Sequence, residues 1–330
     1  RRHLHEHPEL SWQEHQTAAY VRRQIIALGL SPRDLCTTGL ICDVPDASGS
    51  TAGPKIAIRA DLDALPIQEA TALPFASQSP GIMHACGHDG HTAMGLGALR
   101  LLIAGEAPPL PVRFIFQPAE ELATGSAAMI KAGALEDVVA VFGGHLDNRY
   151  PCGTFIVHEG CVNASTDTVR IEVQGKAGHA ARPHQCVDAV VLASSIVMQL
   201  QTLVARTVDP GRPAVVTIGR LQAGTAYNVV AGNAVLEGTI RCTDADTRAL
   251  LLDRVAAIAT GTATTLGGSA RTTFSDGVPP VINSPRWTAV AREAVLAVGG
   301  QPQPLPTANL GAEDFANYLQ HVPGFFVRYG

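Results

Sequence analysis

No run of lysine and arginine interrupts this 330-residue chain, and its formal net charge is −5. Phosphate backbones are held by clustered basic side chains, so nucleic acid is excluded as a main partner. No apolar stretch approaches the roughly 18–20 residues that a membrane helix needs. The best candidate, "AVVLASSIVMQL" (189–200), is broken by Ser194, Ser195 and Gln199. No internal repeat appears, and low complexity is confined to short Pro-rich connectors at 106–111, 209–213 and 301–306. No secretory signal is visible. The cysteines lack the spacing of a disulfide scaffold: they are odd in number and scattered at 36, 42, 86, 152, 161, 186 and 242. They read as reduced thiols of a cytoplasmic protein, with Cys86 set apart by its neighbours. The chain also lacks an initiator Met and opens inside what reads as a helix, so a preceding segment is expected.

What remains is a well-buried globular composition, 46% apolar and 16% charged, long enough for two domains. The first part alternates helix and strand. Residues 12–28 read as a helix, "KIAIRA" (55–60) as a buried strand, 91–105 as a helix and 111–117 as a strand. A helix at 123–133 and a strand at 138–144 follow. That order suggests an α/β sheet covered on both faces. From 167 the pattern changes. "DTVRIEVQG" alternates Val169, Ile171 and Val173 on one face, as a strand with one open side does. A helix at about 186–205, strands at 214–221 and 234–242, a helix near 245–266 and a strand at 270–275 complete a βαββαβ order, the ferredoxin-like pattern. Helices at 285–298 and 312–320 and a strand at 324–330 then return to the first part.

Chemistry-bearing residues follow the predicted strands. Asp61 and Asp63 stand after one, Glu120 and Glu121 after a second, His145 after a third, and the stretch "MHACGHDGHTAM" (83–94) lies just before a helix. Ligands of open α/β sheets bind outside the carboxyl ends of the strands, so four segments deliver Cys, His, Asp and Glu to one edge. A lone carboxylate there is usually a loop residue or a helix cap, and Glu120-Glu121 alone could be the acidic first turn of the next helix. Convergence is what carries the signal. Cys86 and His88, two apart, face one side of an extended chain, and thiolate with imidazole is a typical ligand pair for zinc and its neighbours. His84, Asp89 and His91 read as shaping the turn around them. One Cys, two His and several carboxylates are unlike a closed structural zinc site and fit an open hydrolytic one.

The motifs together resemble the M20 metallopeptidases, in particular the amidohydrolase branch that contains hippurate hydrolases and plant auxin–amino acid conjugate hydrolases. The matching stretches span essentially the whole chain: "LHEHPELSWQE", "IRADLDALPI", "MHACGHDGHTAM", "QPAEE", "GGH", "GKAGHAARPH", "NVVAGNAVLEGTIR" and "GAEDFANYL". The resemblance implies a discontinuous catalytic domain, 1–164 with 277–330, carrying a mixed, mostly parallel sheet. It also implies an inserted ferredoxin-like lid and dimerisation domain at 165–276. It makes Cys86, His88, Glu121 and His145 ligands of two divalent ions (Zn, Mn, Co or Ni), with Cys86 bridging. Glu120 becomes the general base and Asp63 a residue behind the ligands. On the lid it gives His179 the oxyanion, reaching the partner subunit's site, and gives Asn228 and Arg241 the substrate. The expected reaction is cleavage of the amide of an N-acyl amino acid by a metal-bound water, in a cytoplasmic homodimer with no nucleic-acid or membrane partner. A dipeptidase or aminopeptidase of the same fold, or a non-catalytic metal-stabilised dimeric binding protein, are the alternatives. Two departures stand out. The family's last metal-binding histidine would fall beyond Gly330, and His321 lies too early to replace it. The segment after His145, "LDNRYPCG", has its proline further from the histidine than is usual.

Overall fold

The computed structural model describes residues 1–330 apart from Asp276. Contacts divide the chain into two compact units, one of Arg1–Val162, Val281–Pro306 and Glu313–Gly330, the other of Asn163–Pro280 and Thr307–Ala312.

The first unit is built on an eight-stranded sheet. Its strands in chain order are β1 (Arg33–Leu35), β2 (Gly39–Val44), β3 (Lys55–Asp61), β4 (Val112–Gln117), β5 (Val138–Leu146), β6 (Thr154–Ile156), then Gln301–Gln303 and Gly324–Tyr329. In space they run β1-β2-β4-β3-β5, then Gly324–Tyr329, β6 and Gln301–Gln303. The centre is parallel, with β3 pairing both β4 and β5, and β5 pairing Gly324–Tyr329; β2 joins β4 antiparallel. All six residues of β4 are buried, as a central strand covered on both faces requires. Helices α1 (Arg2–Glu6), α2 (His15–Ala27), α3 (His88–Ala104) and α4 (Gly125–Lys131) belong to this unit. Val21 and Ile25 of α2 and Leu99 of α3 pack with Leu40, Phe114 and Phe116 in one core. Each such side chain contributes about 1.5–3 kcal/mol when fully buried.

Three sequence expectations shift here. His145 lies inside β5 rather than after it, because the strand runs on beside Gly324–Tyr329. The helix that follows Cys86 begins at His88, so Cys86 and His88 are related by a turn, not by extended chain. Of the helix expected at 312–320 only Ala316–Leu319 is helical, since the side chains of Glu313 and Asp314 are drawn into the interior. Strands β1 and β2 were not anticipated.

The second unit is a four-stranded antiparallel sheet in the order Ala214–Ala223, Asn233–Cys242, Ser165–Gln174, Ser269–Val278. Helices α5 (Ala189–Thr207) and α6 (Ala245–Thr265) cover one face, which gives the ferredoxin-like connectivity. Along Ser165–Gln174 buried positions alternate with more open ones, placing Val169, Ile171 and Val173 in the core. Asp188 caps α5 by accepting the Val190 amide at 2.8 Å, and Asp244 caps α6 through Thr247 at 2.9 Å. Contrary to the reading of 189–200 as too interrupted, α5 is 19 residues long and apolar enough to cross a membrane by length and composition alone. One side of it, Leu192, Ala193, Ile196, Leu200 and Leu203, is spent on the core of this unit.

Candidate metal centre

The parallel strands of the first unit all present polar groups at their carboxyl ends. β3 ends in Asp61, with Asp63 two residues on; β4 runs into Glu120 and Glu121; β5 carries His145. Gly87, at φ 93°, makes the left-handed turn that starts α3 and brings Cys86 round beside His88. The ligand atoms of Cys86, His88 and His145 lie within 4.8 Å of one another, as do those of His88, Glu120 and Glu121. Cys86 Sγ is 3.2 Å from His145 Nε2. His88 Nε2 is 3.8 Å from both Glu120 Oε2 and Glu121 Oε1.

Each imidazole is held by its far nitrogen. His88 Nδ1 donates to the Asp63 carbonyl oxygen at 2.8 Å, and His145 Nδ1 donates to the Leu146 carbonyl. Both Nε2 atoms are thereby left with lone pairs directed into the cluster. Asp63 also accepts the Ser11 hydroxyl at 2.7 Å and the Glu121 amide at 3.0 Å, so it fixes His88 and Glu121 together. Among the described residues His88 Nε2 and Glu121 Oε1 are buried with no hydrogen-bond partner. Stranded donor atoms of this kind, soft and hard mixed, fit one or more divalent cations.

Behind the cluster is a charged network that the sequence reading did not include. Arg59 of β3 is buried. It donates to Gln117 at 2.9 Å, Asp61 at 2.5 Å, Glu313 at 3.0 Å and Asp314 at 2.9 Å. Gln117 and the Ser126 amide also bind Asp314. Glu120, Glu313 and Asp314 form a further close set of acids. Burial, then the charges of Glu313 and Asp314, raise the Glu120 carboxyl well above its usual range. Burial likewise lifts Asp314 to about 7 against the pull of Arg59. Burial would also raise Asp61, but the charge of Arg59 and the hydrogen bond from His91 help hold it well below the usual range. The Cys86 thiol is pushed up to about 11 by burial. A signal for the network was present: an arginine inside the apolar run "KIAIRA" cannot stay buried without acids, and "GAEDF" supplies two.

Of the remaining sequence candidates, His91 lies in the first turns of α3 and Asp89 is bound by His5 and Arg1, both at 2.9 Å. His84 stays outside the cluster, its ring buried and its pKa lowered to about 4 by desolvation. His179, Asn228 and Arg241 lie in the second unit. His179 and Asn228 are exposed, and Arg241 donates to the Leu310 carbonyl at 2.8 Å.

Comparison with known proteins meets this geometry. The profile of peptidase family M20/M25/M40 matches residues 57–330. The chain belongs to that family. Within it the chain is a metal-dependent amidohydrolase. It is similar to the N-acetylcysteine deacetylase of Bacillus subtilis, 42% identical over 333 residues, covering 100% of this chain and 87% of that one. It is similar to the N-acyl-L-amino acid amidohydrolase of Geobacillus stearothermophilus, 41% identical over 313 residues, covering 92% of this chain and 83% of that one. A Bacillus subtilis crystal structure described as a dinuclear metal-binding peptidase from the M20 family superposes with a TM-score of 0.88 at 40% identity. It covers 100% of this chain and 86% of that one.

Proposed function

We propose that this M20 member hydrolyses the amide of small N-acyl amino acids, releasing a carboxylate and a free amino acid. The observation that carries the reading is Glu120, a largely enclosed acid whose Oε1 accepts the Asp314 amide at 3.4 Å and whose Oε2 lies 3.8 Å from His88 Nε2, in one cluster with the Glu121 oxygen that has no hydrogen-bond partner. The similarity to deacetylating and amidohydrolase relatives supports the choice of substrate class. Cys86, His88, Glu121 and His145 would hold two divalent ions. When bound, such ions polarise the scissile carbonyl and acidify water toward a pKa of about 7. Glu120 takes the proton of the attacking water and returns it to the departing amine. Its raised proton affinity suits both halves of that transfer. Asp63 keeps the His88 ring and the Glu121 backbone in place through the cycle.

The second unit enters the reading as a lid and dimerisation domain. His179 would stabilise the developing oxyanion, and Asn228 and Arg241 would bind the substrate, Arg241 through its carboxylate. The working form in this reading is a homodimer in the cytoplasm, where thiols such as Cys86 stay reduced.

Glu120→Gln tests it directly. Removing a general acid–base costs about 10²–10⁴-fold, so kcat should fall that far while bound metal, measured by elemental analysis, is unchanged. Near-normal turnover in the variant would sink the assignment. A panel of N-acetyl and N-benzoyl amino acids against dipeptides tests the substrate class, and preference for dipeptides would overturn it.

A further inference from the structure

We propose that His91 is a positioning residue for His145, clamping the backbone that follows it through the Leu146 amide. The inference rests on the reading of His145 as a metal ligand. His91 is buried in α3 and belongs to no ligand role above. Its Nδ1 is 2.7 Å from Asp61 Oδ1, and the Leu146 N–H donates to its Nε2 at 2.9 Å. An ionised carboxylate only accepts, so Nδ1 carries the ring proton and Nε2 is the acceptor that the Leu146 amide needs. Asp61 is itself locked on its other oxygen by Arg59, which Gln117, Glu313 and Asp314 fix in turn. A continuous chain of hydrogen bonds therefore runs from the buried guanidinium to the peptide that joins His145 to Leu146.

That peptide decides where His145 points. The His145 ring is oriented by its own Nδ1–H on the Leu146 carbonyl, a contact between neighbours that holds only while the local backbone is fixed. With the Leu146 N–H on His91, both ends of that residue are held, and His145 Nε2 stays 3.2 Å from Cys86 Sγ. The two rings pack edge to face, centroids 4.7 Å apart, which limits rotation of His145 from the side. Without the clamp the peptide can turn and take the imidazole with it. Partners of this kind behind a ligand typically tune metal affinity about 10–100-fold.

Two amides separate the halves of the clamp. Asn places its side-chain nitrogen where His Nδ1 sits and keeps only the Asp61 bond; Gln places its oxygen near Nε2 and keeps only the Leu146 bond. The experiment measures Zn(II) and Mn(II) affinity of the full chain by chelator competition, alongside the Tm of the metal-free proteins. His91→Asn should weaken metal binding by about 10–100-fold, and His91→Gln by no more than about threefold on the same scale, with similar metal-free Tm values. Equal affinity of His91→Asn and wild type overturns the clamp, and so does equal weakening by both amides. His145→Ala is run beside them. If it binds metal as wild type does, the ligand reading fails and the clamp with it; if it loses metal while His91→Asn does not, only the clamp fails. Because either variant could fold poorly, ¹⁵N-histidine spectra of the unmutated protein give an independent arm. They should show His91 protonated on Nδ1 with a lone pair on Nε2, and the opposite tautomer overturns the proposal.

Discussion

Gly125→Ala should damage catalysis and stability together, although the residue carries no side chain and touches no ligand. Gly125 opens α4 and closes the loop that holds Glu120 and Glu121. A Cβ there would sit 1.6 Å from the Pro118 carbonyl oxygen and 2.8 Å from its carbon. A carbon–oxygen contact needs roughly 3.3 Å, so loop and helix must part by the difference, about 1.7 Å. The loop has little room to absorb this. Ala119 accepts the Gly125 amide at 3.1 Å and donates to Glu14 at 2.9 Å, while the Glu121 amide is held by Asp63. Ala119 and Ala123 already sit at φ 51° and 55°, a region that costs an L-residue about 1–2 kcal/mol. Overpacking of this kind costs about 1–3 kcal/mol, which lowers Tm by roughly 2–4 °C per kcal/mol in a unit of this size. Misplacing a catalytic group by about 1 Å can cost 100-fold, so kcat/KM should fall at least that far. Gly97→Ala is the control: it is exposed in α3 with nothing within 4 Å of the new Cβ. It should gain about 0.5–1 kcal/mol from helix propensity and keep wild-type kcat/KM. Steady-state kinetics on an N-acetyl amino acid and thermal denaturation read both. Wild-type kinetics and wild-type Tm in Gly125→Ala would refute the steric argument.

Two further outcomes follow from the same structure. Burial would raise the Asp43 carboxyl, but two bonds from Arg113 and the charge of Lys55 hold it below its usual value. Its stabilisation is therefore complete above about pH 4 and is lost as pH falls through the lower folded-state value. Asp43→Asn leaves the buried Arg113 with the Gly133, Ala134 and Glu136 carbonyls but no carboxylate and should cost about 1.5–3 kcal/mol at neutral pH, with the gap to wild type narrowing below about pH 4; a urea-measured gap that stays constant down to pH 3 would contradict it. Chelation should abolish turnover and lower Tm, and metal restored to a hundred times its Kd should return about 2.7 kcal/mol of stability. A Tm insensitive to both chelator and metal would contradict a cation held by His88 and Glu121.

The layers of the fold were legible because burial writes itself into local pattern. A mostly apolar β4, with Val112, Phe114, Ile115 and Phe116 in its six residues, announces a buried strand, and the alternation at 169, 171 and 173 announces one covered on one face. Strands β1 and β2 escaped because β1 is three residues long and β2, beyond its tight hairpin with β1, is held by β4, a segment distant in sequence. For the site, what could be read was the set of side chains that stand at strand ends, since strand ends can be located without knowing the fold. What could not be read was the layer behind them. Arg59 meets Glu313 and Asp314 across more than 250 positions of chain, and nothing local to either segment encodes that meeting. The physical hint lies in cost rather than pattern. A guanidinium in a strand interior loses its hydration, and its burial is tolerable only if several carboxylates come to it. An arginine in "KIAIRA" thus demands partners that its own neighbourhood supplies only once, as Asp61, and the demand points to distant acids before any coordinates are known. The same argument separates His91 from His88. Both are buried histidines on one turn of α3, but His91 has both ring nitrogens engaged and His88 keeps one without a hydrogen-bond partner. Which of two neighbouring histidines is left with a lone pair is decided by tertiary partners, so spacing could set Cys86 and His88 apart from His91 but could not say what holds each ring.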